Sequence, residues 1–306
     1  MRLPPTAFLA VGASAALALS VAAPLSVVVL GLAGLGAVHL VLEVNYVLRS
    51  FGGLVRRDAW LALLVVLTII AAARTLAGLG GPGREYSRSG EIIAAFVVAG
   101  IATWLAGRRR RLPLLAGLSI LAVLSLAYPA FYFALLTHLH NLVPMFFLWE
   151  WSRRAGFRAA QLIWFVGIPL AILAGTFDAW TTVSASPLGA WLGPSWTVVA
   201  ASGFPGATGL WSVRLLVMFA FMQSLHYLVW VGFFPCYGPR VRPSVWLVAA
   251  GLGVLLGALF VSGYALGRSI YSVVAGYHVY LELPVLMLLW VRRGEPLANW
   301  RTPPAE

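Results

Sequence analysis

Five histidines carry the chemistry this sequence has to offer: His39, His138, His140, His226 and His278, all within apolar stretches. Burying an imidazole in lipid is costly, so ionisable residues inside membrane segments are functional candidates by default. Neutral imidazole is also a good ligand for zinc, copper, iron and nickel. Depth strengthens the case. From each histidine to the next arginine cluster the intervals are 10 residues (His39 to Arg49), 13 (His140 to Arg153), 14 (His226 to Arg240) and 14 (His278 to Arg292). At the helical rise these are depths of about 15–21 Å, near the middle of a bilayer. His138 and His140 are two residues apart and point nearly oppositely on a helix, so one of them suits a single site. His140 is the better choice, with His138 as its alternative.

Carboxylates accompany two of the histidines. Glu43 follows His39 by four residues, and Glu282 follows His278 by four. Positions i and i+4 share a helix face, so each Glu can face its histidine's interior. Such a carboxylate can hold the free N–H of a ligating imidazole or bind a metal directly. Gln223, three before His226, lies on that histidine's face. The reading is a metal set of His39, His140, His226 and His278, with Glu43, Glu282 and Gln223 as catalytic or supporting groups. Hydrogen-bonded packing histidines are the plain alternative.

The elements that must position these residues are membrane helices. Hydrophobic residues make up 61% of the 306-residue chain and charged residues only 10%, against about 25% in soluble domains. Mean hydropathy is +0.91. The expected spans are 6–22, 26–48, 60–79, 91–107, 112–128, 130–151, 157–177, 210–234, 244–265 and 269–291, about ten helices in all. They define an all-α, polytopic membrane bundle forming one domain over 1–306. The first run also resembles a signal peptide, although the apolar run after Pro24 favours a helical hairpin. With both termini cytoplasmic, the inner face collects most of the arginines, including Arg49, Arg56, Arg57, Arg108 to Arg111, Arg153, Arg154, Arg240 and Arg242. The outer face keeps Arg74, Arg84, Arg88, Arg214 and Arg268, as the positive-inside rule requires of a bacterial-type inner membrane. Residues 178–209, rich in Trp, Gly, Ser and Pro, are expected to form an outer lid or re-entrant loop.

Composition excludes several functions. The net charge of +12 comes from arginine alone; without lysine there is no retinal Schiff base or lysine nucleophile. The arginines sit in short clusters between apolar runs, so they contact lipid headgroups rather than nucleic acid. Cys236 is the only cysteine, which permits no internal disulfide and argues against structural zinc of the usual thiolate kind.

Four short blocks, taken in order, give a resemblance. They are His39-Leu-Val-Leu-Glu43, His140-Asn-Leu-Val-Pro144, Gln223-Ser-Leu-His226 and His278-Val-Tyr-Leu-Glu282. The chain resembles, distantly, the Brp/Blh family of membrane proteins that cleave beta-carotene to retinal. The first and last blocks keep that family's histidine-to-acid spacing, with Glu for Asp. The second keeps its histidine without the acid, and the third retains one histidine of a pair. The resemblance implies a non-haem Fe(II) oxygenase acting with dioxygen on a lipid-soluble polyene or carotenoid. Two rivals remain. One is a b-type haem protein exchanging electrons with quinone, its propionates held by Arg74, Arg214 or Arg268. The other is a transporter or proton channel using His and Glu as a relay.

Overall fold

A computed structural model describes residues 3–54, 57–78, 83–105, 108–181 and 205–291. The described residues are helical, with no strand among them. In chain order the helices are α1 (Pro5–Ala22), α2 (Pro24–Phe51), α3 (Arg57–Gly78), α4 (Arg84–Leu105), α5 (Arg108–Ala127), α6 (Pro129–His140) and α7 (Val143–Trp151). They continue with α8 (Ala155–Leu173), α9 (Gly209–Tyr237), α10 (Pro243–Ser262) and α11 (Tyr264–Val291).

Among the described residues, eight helical segments are long and apolar enough to cross a membrane, with α6 and α7 together forming one of them. The chain therefore reads as an integral membrane protein. The two remaining expected spans, 91–107 and 112–128, are helices of a different character. The helix around the first, α4, begins earlier and carries Arg84, Glu85, Arg88 and Glu91; in α5 the apolar part is only Leu112–Ala127. Most of the expected outer lid, 182–204, lies outside the described residues. At its start, Asp178–Trp180 forms a single 3₁₀ turn.

Proline shapes these helices. Lacking an N–H, proline leaves the carbonyl four residues back without its helical partner and crowds it. Pro144 does this to His140, and the helix breaks at Asn141–Leu142 between α6 and α7. Pro169 and Pro235 each follow a π-helical turn, Ile163–Gly167 in α8 and Leu228–Phe233 in α9. The second begins two residues after His226. Such π turns are rare and concentrate at functional sites.

The chain groups into two compact units: Met1–Leu42 with Phe133–Tyr264, and Glu43–Tyr132 with Ala265–Glu306. In the first, α9 packs against both α1 and α8. It is the most enclosed span, with 61% of its apolar window buried against 17% for α3. Val28 of α2 packs with Leu216 and Ala220 of α9. Phe8, Trp151, Phe157, Phe233 and Tyr237 form a chain of edge-on and tilted ring contacts at one end of this unit. In the second unit α4 packs against both α3 and α5. Buried Leu63, Leu67 and Ile70 mark the inner face of α3, and Ile92, Ala95 and Val98 that of α4.

Candidate metal centre

His39, midway along α2, is wholly buried, and its Nδ1 lies 3.1 Å from the carbonyl oxygen of Leu35 one turn back. A carbonyl can only accept, so Nδ1 carries the proton and Nε2 presents its lone pair. Ligating histidines are commonly fixed this way, by donating their other N–H to a backbone carbonyl. The His39 ring also leans on that of Tyr227, with centroids 4.6 Å apart.

His226 sits at the centre of the first unit's imidazoles. Its ring centroid is 5.1 Å from that of His39 and 4.4 Å from that of His140. The break forced by Pro144 falls just after His140, where a regular helix would otherwise constrain the backbone. His138 is aimed elsewhere: its ring stands edge-on to Phe219 at 5.6 Å. Of the two neighbouring histidines, His140 is the one in the group.

Among the described residues, one ring nitrogen from each of His39, His140, His226 and His278 lies within 4.8 Å of the others, close enough for the four to bind one metal ion. His39, His226 and His278 are buried and His140 partly so. The donor set fits a metal. Four like groups meet at one place, in α2, α6, α9 and α11, and the His39 tautomer directs a lone pair outward from its own helix. All four are nitrogen donors, which suits iron, copper, nickel or zinc rather than calcium or magnesium.

The carboxylates lie close by. Glu43 Oε2 is 4.0 Å from His278 Nε2. The Glu43 and Glu282 side chains interact with each other. Both are almost completely buried. Gln223 is buried too, and its Nε2 donates to the Val28 carbonyl oxygen at 3.2 Å, tying α9 to α2.

One polar assembly in the second unit was not foreseen from the sequence. Arg74 Nε donates to Glu91 Oε1 at 2.7 Å, and the Tyr280 hydroxyl donates to the same oxygen at 2.8 Å. The Tyr132 and Tyr280 hydroxyls are 3.0 Å apart. The sequence signal was a glutamate at the start of an apolar run; what it lacked was the partner, 17 residues away on another helix. Arg214 is likewise engaged, by the Asp178 carboxylate at 2.5–3.1 Å and by the Leu173 carbonyl at 3.1 Å. Its guanidinium occupies the space beside Gly175, whose φ of +87° and missing Cβ make room for it. Arg74 and Arg214, both expected on the outer face, are therefore ion-paired within the protein.

A cavity of about 450 Å³ opens among Leu173, Pro205, Thr208, Trp211 and Leu215. Leu215 precedes His226 by 11 residues, about 16 Å along the helix, so this cavity is separate from the histidine group.

No family model, curated protein or solved structure matches the chain.

Proposed function

We propose that the chain is a membrane-embedded, non-haem iron oxygenase whose substrate is a hydrophobic polyene of the carotenoid kind. The observation that carries this reading is the grouping of four histidine nitrogens within 4.8 Å inside apolar helices. In this reading His39, His140, His226 and His278 hold Fe(II), and the ion supplies the activation of dioxygen. The protein's own groups do the rest. The Leu35 carbonyl fixes the His39 tautomer so that Nε2 faces the ion. The Glu43–Glu282 pair lies next to His278 and can balance part of the ion's charge, which four neutral imidazoles leave untouched. The surrounding apolar helices exclude water from reactive species. They also admit a lipid-soluble substrate sideways from the bilayer. A bacterial-type inner membrane, with both termini cytoplasmic, is the orientation that the arginine distribution supports.

The haem reading is weakened by two of its three arginines. Arg74 and Arg214 are committed to Glu91 and Asp178 and to backbone carbonyls. An optical spectrum of the purified chain separates the readings. A pale protein with stoichiometric iron and no Soret band supports the oxygenase. A strong Soret band replaces it with a b-type haem protein, and absence of both iron and haem points to the His/Glu relay. Expression in carotene-producing cells then tests the substrate: loss of colour with aldehyde formation is expected, and unchanged carotene overturns the carotenoid assignment.

A further inference from the structure

The helix that carries His278 is gripped from its opposite side. On α11, Ser272, Gly276 and Tyr280 are spaced by four and so line one face. Arg74 from α3 meets all three. Its Nη1 donates to the Ser272 carbonyl at 2.6 Å, its guanidinium fills the place a Cβ at Gly276 would take, and it lies 5.8 Å from the centre of the Tyr280 ring. Glu91 from α4 then holds both Arg74 and the Tyr280 hydroxyl through one oxygen. Tyr132 closes the chain. His278 is two residues from both Gly276 and Tyr280, so it projects about 160° away from that face, as does Glu282 relative to Tyr280.

This stretch of helix needs outside support. Pro284 sits within α11 and cannot donate to the Tyr280 carbonyl, so the turn after Tyr280 lacks one of its bonds. Rotation of the segment about its own axis would swing His278 and Glu282 together.

We infer that Tyr280, held by Glu91, Arg74 and Tyr132, is a positioning residue that sets the rotation of α11 and so aims the His278 imidazole at the metal. The inference rests on the proposed metal reading. It assigns a role to a buried network that never touches the ion.

The test uses the full-length chain purified in detergent, with Co(II) alone as the probe. Tyr280→Phe removes only the hydroxyl and leaves the Arg74–Glu91 pair intact. It is expected to weaken Co(II) binding about tenfold, the scale of losing an outer partner of a ligand, and to alter the ligand-field spectrum while the melting temperature barely moves. In the His278→Ala background the same change is expected to have no further effect on the remaining Co(II) affinity. As a second probe, Tyr132→Phe should give a smaller loss alone and none when combined with Tyr280→Phe. An equal Co(II) loss from Tyr280→Phe with and without His278 overturns the positioning role, since that is what general loosening would do. Tight, spectrally unchanged Co(II) binding by Tyr280→Phe overturns it while leaving the metal centre standing. A wild-type chain that binds no Co(II) overturns the metal reading and this inference with it.

Discussion

The two buried polar assemblies of this protein are built on opposite principles. In the Arg74–Glu91–Tyr280–Tyr132 network, unlike groups meet: a cation, a carboxylate and two hydroxyls supply complementary donors and acceptors. It is complete as it stands. In the histidine group, like meets like, and four imidazoles converge although neutral imidazoles gain little from one another. The difference teaches what each is for. A network of complementary groups fixes helices, whereas a convergence of lone-pair donors makes physical sense around a cation that the protein chain does not itself supply.

The comparison breaks most sharply at Glu91. Glu91→Gln leaves the Arg74 charge buried without its carboxylate, and removing one partner of a buried pair typically costs about 3–5 kcal/mol. Thermal or denaturant unfolding of the purified variant should show a loss of that size. A change well under 1 kcal/mol would mean that the network contributes little to stability, and the contrast with the histidine group would fail.

Next in size is the pair of neighbouring histidines. His140→Ala removes a proposed ligand and should lower metal affinity by more than tenfold, since even outer partners of ligands cost that much. His138→Ala removes a ring packed on Phe219 and should leave metal content unchanged. Equal effects from the two, measured by metal analysis of both variants, would dissolve the assignment.

The smallest effect belongs to the partly exposed pair at Asp178. Hydrogen bonds from Arg214 hold the Asp178 carboxyl below the ordinary carboxylate range. A carboxyl whose folded value is depressed stabilises the fold above the unfolded value and loses that contribution as pH falls through the folded one. Its contribution should therefore be constant at neutral pH and fade only below about pH 4. Asp178→Asn should flatten that part of the acid-stability curve. An identical acid limb in both proteins would show that the pair contributes nothing.

Much of this was legible in the sequence because hydrophobic runs and histidine depth are one-dimensional signals. The apolar runs and the common depth of His39, His140, His226 and His278 could be counted along the chain. Spacing alone did not decide between His138 and His140; the structure adds a local reason, the helix break that Pro144 forces just after His140. Pairings between distant residues could not be read. Nothing near Arg74 or Glu91 marks them as partners, and nothing near Arg214 announces Asp178, because such contacts depend on which helix faces which. The π turns in α8 and α9 were equally hidden: proline predicts a disturbed turn but not the form it takes.

Metal analysis of the wild-type chain beside His226→Ala decides whether the four histidines hold an ion, because the His226 ring touches those of both His39 and His140. About one iron per wild-type chain is expected, as a single four-histidine site requires, with a large loss from a variant that is still folded. A wild-type protein without stoichiometric metal, or a variant that keeps it all, would contradict the account.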